Sequence, residues 1–121
     1  MSKYILFRNQ GYAEALAKKT GAIVRSSEEN LNGIRPKDGD IIIIDAHYKG
    51  DMSKLEGIQI VYHLQKFKCR DKDVKFKILS WYPPEWFEQK PDWIHMKKKL
   101  FSPTNVEFIQ LPVSDVTLLT T

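Results

Sequence analysis

Cysteine is almost missing from this chain: Cys69 stands alone among 121 residues, which excludes an internal disulfide and makes a thiolate metal site a poor fit. Set between Lys68 and Arg70, it is expected to be a surface thiol without a role. Long hydrophobic runs are missing too. Tyr4-Ile5-Leu6-Phe7 is interrupted by Arg8, Asn9 and Gln10, so neither a leader nor a membrane span is expected, and the expected location is the cytoplasm. There is no glycine-rich phosphate loop and no serine elbow. His47, His63, Cys69 and His95 show no ligand spacing, which argues against zinc, and no cofactor is expected. Neither sign of charge dominates: 19 basic residues face 15 acidic ones, a net charge of +4. The excess collects in Lys66–Lys77 and Lys97–Lys99, stretches that read first as solvated faces and second as a surface for nucleic acid.

What is present begins with Asp40-Ile41-Ile42-Ile43-Ile44-Asp45. Four successive β-branched residues without polar alternation describe a strand buried on both faces, as in the centre of a parallel sheet. Asp45 falls where that strand emerges, and the crevice at the carboxyl ends of such strands is where ligands collect in open α/β sheets.

The other elements follow from periodicity and punctuation. Lys3–Phe7 reads as a first strand, and Gly11–Thr20 as a helix carrying Tyr12, Ala15, Leu16 and Lys19 and stopped by Gly21. Ala22–Arg25 is a brief second strand. Ser26 with Glu29 offers a capping box for a stunted helix ending near Gly33. Ser53 with Glu56 repeats that pattern ahead of Leu55, Ile58, Val61, Leu64 and Phe67, which share a helical face. Val74–Ser80 and Val106–Leu111 read as the last strands. Between them, Trp81-Tyr82-Pro83-Pro84 reads as an irregular link, and a helix begun by Pro91 carries Trp93, Met96, Lys97, Leu100 and Phe101. Val116, Leu118 and Leu119 suggest a truncated last helix. The alternation predicts a single α/β domain over 1–121: a flavodoxin-like three-layer sandwich with a five-stranded parallel sheet in the order 2-1-3-4-5.

With these elements in place, the chain resembles the receiver domain of bacterial two-component response regulators. Asp40–Asp45 resembles the third strand with its phosphoacceptor aspartate, Lys77-Ile78-Leu79-Ser80 the fourth strand with its hydroxyl switch residue, and Gln110-Leu111-Pro112 the fifth strand with its lysine-proline pair. Gly57-Ile58 resembles the start of the third receiver helix. The resemblance spans nearly the whole chain, although each motif is short. It implies Asp45 as phosphoacceptor equivalent and Ser80 as switch equivalent.

The departures alter that implication. Receivers hold Mg²⁺ with two adjacent acids after the first strand, and this chain has Phe7-Arg8-Asn9 there; at the lysine position it has Gln110 or Leu111. Without acids and lysine, the neutralisation that phosphoryl transfer depends on is removed. The expectation is an atypical receiver-like domain that is no enzyme and acts in signalling through protein partners. Its crevice is lined by Arg8, Asn9, His47 and Gln110, with the Arg8 guanidinium in reach of Asp45. A phosphorylatable receiver accepting phosphate on Asp45 and a small basic nucleic-acid binder stand as alternatives.

Blander readings accompany each residue. Asp45 as a cap of the turn after its strand is one, and His47 as an exposed loop histidine is another. An aspartate-nucleophile hydrolase would want a second acid where His47 stands, so that reading is set aside. Trp81, Tyr82, Trp86 and Trp93 are interface candidates. The resemblance implies a partner or a second copy on the face of the fourth helix and fifth strand.

Overall fold

The computed structural model of the chain describes residues 2–7, 9–25, 34–48, 55–100, 103–113 and 115–120. In chain order the elements are β1 (Lys3–Leu6), α1 (Gln10–Thr20), β2 (Ile23–Val24), β3 (Ile41–Asp45), α2 (Glu56–Phe67), β4 (Lys75–Ser80), α3 (Pro84–Glu88), α4 (Pro91–Lys97) and β5 (Val106–Gln110), with 3₁₀ turns at Pro103–Asn105 and Val116–Leu119. All strand pairs are parallel and the order is β2-β1-β3-β4-β5, the flavodoxin-like arrangement.

The four isoleucines of β3 divide between the faces of the sheet. Ile42 and Ile44 join Leu6, Phe76 and Ile78 beneath α2, α3 and α4, while Ile41 and Ile43 join Ile5, Phe7 and Leu79 beneath α1 and the Val116–Leu119 turn. All four are buried. Each contributes about 2 kcal/mol by leaving water, so an unbroken apolar run is what a doubly covered strand requires. Because the strands are parallel, the connection from β3 to β4 and that from β4 to β5 must each return from the carboxyl ends of the strands to their amino ends.

Local signals explain the helix limits. Asn9 caps α1, its Oδ1 accepting the Tyr12 N–H at 3.1 Å. Gly21 ends it at φ 73°, its N–H donating to Ala17 O at 2.8 Å. The side of α1 turned to the core is Ala13, Leu16 and Thr20, with Tyr12 and Ala17 partly covered; Ala15 and Lys19, expected on that side, are exposed. For α2 the N-cap is Leu55 and Glu56 is its first residue, so Glu56 does not occupy the capping-box position; Ser53 lies outside the described residues. Ile58, Val61 and Leu64 are buried as expected, but Phe67, the last residue of the helix, is 63% exposed. The expected helix over 26–33 also lies outside the described residues.

Other corrections concern the second half. The link expected to be irregular contains α3, because Pro84 stands at a first-turn position where its missing N–H costs nothing. The helix begun by Pro91 ends at Lys97, leaving Leu100 buried beyond it. Phe101 lies outside the described residues. Cys69 is buried, not superficial: its Sγ–H donates to Leu64 O at 3.1 Å, and burial pushes its pKa up to about 11. No described helix is long and apolar enough to cross a membrane.

Candidate functional site

Asp45 stands at the carboxyl end of β3, opposite Leu79 of β4. The chain follows β4 for one residue more, the Ala46 N–H donating to Leu79 O at 3.0 Å, and then turns. Asp45 Oδ1 accepts the His47 N–H at 2.9 Å, so its carboxylate caps the turn that follows the strand. Burial is the main influence that raises its pKa above the ordinary carboxylate value; the Glu56 charge adds to the rise, and His47 opposes it. Tyr12 of α1 faces the same crevice: burial, and then the charge of Asp45, raise its phenol.

His47 is not an exposed loop histidine. It is 2% exposed, and its Nε2 is hydrogen-bonded to Ser80 Oγ at 3.2 Å, in a direction set by the imidazole tautomer. Its ring is surrounded by Tyr82, Trp86 and Phe87, with centroids 5.8, 6.2 and 6.3 Å away. Ser80 Oγ also accepts the Tyr82 N–H at 3.1 Å. The residue at the end of β4 is thereby tied to the turn after β3 and to the start of the next connection.

Asn9 and Gln110 flank this arrangement without joining it. Asn9 is spent on capping α1, and Gln110, paired with Ser80 across β4 and β5, donates from Nε2 to Trp81 O at 3.1 Å. Arg8 lies outside the described residues. The structure therefore gathers Asp45, His47 and Ser80 at one sheet edge and leaves Asn9 and Gln110 on bonds of their own.

Glu56 and Tyr12 belong to the crevice although their sequence positions did not suggest it. Glu56 begins α2, and the close approach of that helix to β3 brings its charge against Asp45, with Oε2 buried and lacking a hydrogen-bond partner. The signal was Gly57, the next residue: its N–H donates to Ala46 O at 2.9 Å, an approach that a side chain would obstruct. Among the described residues no group of three His, Cys, Asp or Glu side chains is placed to hold a metal ion.

The aromatic candidates separate into different roles. Trp81 is 59% exposed. Tyr82 and Trp86 stack at 4.2 Å and 10°, and Lys90 Nζ lies 4.3 Å from the Trp86 ring centroid, so much of this ring surface is used internally. Trp93, expected as an interface residue, is a core residue packed edge-on against Phe108 at 4.8 Å. A cavity of about 220 Å³ lined by Lys75, Lys77, Thr104, Asn105 and Glu107 lies at the opposite end of the sheet, away from Asp45.

No family model matches the chain, and no curated protein or solved structure is significantly similar to it.

Proposed function

We propose that this is an atypical receiver-like module that works in the cytoplasm by binding other proteins, with Asp45 serving as an anchor of the crevice and not as a Mg²⁺-dependent phosphate acceptor. One observation carries this reading: apart from Glu56 and Tyr12, the polar groups described around Asp45 are turned to local bonds. Asp45 holds the His47 N–H, Ser80 holds His47 and Tyr82, Asn9 caps α1, and Gln110 holds the Trp81 carbonyl. Phosphoryl transfer to a carboxylate needs cations aimed at the developing charge. Among the described residues the charges that act on Asp45 are those of His47 and Glu56, and the sequence has a glutamine or leucine where a receiver has its lysine.

The output is a contact surface. On the α4 and β5 side, Ile94 is 43% exposed, and Trp81 is held by its carbonyl to Gln110. The test of the crevice is incubation with Mg²⁺ and a small phosphodonor, read by intact mass and peptide mapping. The expected spectrum is that of the unmodified chain. Stoichiometric phosphate on Asp45 would overturn the reading and favour a phosphorylatable receiver.

A further inference from the structure

The fold brings to one pole two lysine-rich stretches that an intervening strand and helix separate in sequence. Since β3, β4 and β5 are parallel, the connections that carry α2 and α4 both return to the amino ends of the strands, and the two helices lie on the same face in contact with each other, each ending shortly before the next strand begins. Lys66 and Phe67 at the end of α2, and Lys97 with Lys98 and Lys99 at the end of α4, therefore stand at the pole opposite Asp45. All five side chains are exposed.

The aromatic component is organised. Phe67, 63% exposed, lies 4.7 Å from the His63 ring, and Lys66 Nζ stands 5.3 Å from the Phe67 centroid and 5.8 Å from that of Tyr62. Cations at helix C-termini complement the macrodipole, but each terminus carries only about half a unit of negative charge. Lys66 and three consecutive lysines exceed that. Lys97 meets Glu88 only at 3.9 Å with both side chains half exposed, a pair that water screens.

We infer that this pole binds single-stranded nucleic acid, with phosphates on Lys66 and Lys97–Lys99 and an unpaired base stacked on Phe67. Lysines that follow a backbone and an exposed ring that accepts any base are the two components of sequence-tolerant single-strand binding. A duplex offers the phosphates without the free base face. This inference does not depend on the state of Asp45.

The test is fluorescence anisotropy of the full chain with labelled single-stranded RNA and DNA, a duplex of equal length, and phosphatidylserine vesicles as competitor, over a range of salt. For four cations the expected slope of log affinity against log salt is about −3 on a single strand. Phe67→Ala should weaken binding about fivefold or more, and the pair Lys98→Glu with Lys99→Glu should lower the slope to about half. Both variants change exposed residues and should keep the wild-type thermal midpoint. Absence of binding at low salt, binding indifferent to both variants, or equal affinity for the duplex or the vesicles would overturn the inference.

Discussion

At the scale of single residues, the tightest constraint on the crevice is Gly57. A Cβ placed there would lie 1.9 Å from Asp45 O and 2.8 Å from Ala46 Cα, both backbone atoms that cannot rotate away. Gly57→Ala is expected to lower stability by about 2–3 kcal/mol, more than the gain of about 1 kcal/mol from better helix propensity. Urea denaturation measures it, and a midpoint at or above that of the wild type would contradict the close approach. Asp45 makes a prediction that depends on pH. Its folded pKa is raised above the ordinary 3.8, so the unfolded chain ionises first and the native state is penalised as pH climbs through the carboxylate range. Asp45→Asn keeps an oxygen for the His47 N–H and removes the charge. It should match the wild type below the unfolded carboxylate pKa and exceed it at neutral pH, as followed by thermal melts. A variant less stable at pH 7 would mean that the charge itself is held favourably.

At the scale of elements, the β4–β5 pair joins through opposite charges. Lys77 is in register with Glu107 and bonded to it at 2.7 Å, with side-chain exposures of 6% and 52%. Lys77 is thus removed from the basic surface to which its sequence neighbours suggested it belonged. Glu107→Ala leaves a covered ammonium without its partner and should cost about 1–2 kcal/mol, less than for a fully buried pair because water reaches the Glu107 side. Lys77→Met, which removes the charge with the volume kept, should be neutral or stabilising. Denaturant midpoints that rank the two variants the other way would refute this account. The same elements show what was legible beforehand. Ile41–Ile44 announced a central parallel strand because no polar residue alternates there, and the alternation of strands and helices pointed to the order that the sheet has. Pro83-Pro84 concealed α3, since proline breaks a helix interior yet suits a first turn. His47 looked like a loop residue because its aromatic surroundings come from Tyr82, Trp86 and Phe87, which only the tertiary fold brings near. Ser80 and Asp45 were readable as strand ends, and Asp45 as a cap of the turn after β3, but the bond between Ser80 and His47 was not.

At the scale of the whole molecule, the parallel sheet has two unlike ends: Asp45 and its inward-turned neighbours at the carboxyl end, and the lysines of α2 and α4 at the amino end. The side that joins them carries α4 and the edge strand β5, which has β4 as its sheet partner. If this face closes on a second copy, light scattering should give a dimer mass whose population rises with concentration and falls in Trp81→Ala. A monomer mass at high concentration would remove the homodimer and leave a heterologous partner.

The buried thiol has one more consequence. Cys69 ionises near pH 11 while folded, and its sulfur points into the packing above Leu64. Thiol-directed reagents act on the thiolate, so they reach Cys69 only in the moments when the end of α2 comes away from the sheet. With no other sulfhydryl to compete, the pace of its labelling becomes a clock for that opening, written into the natural sequence at a single position.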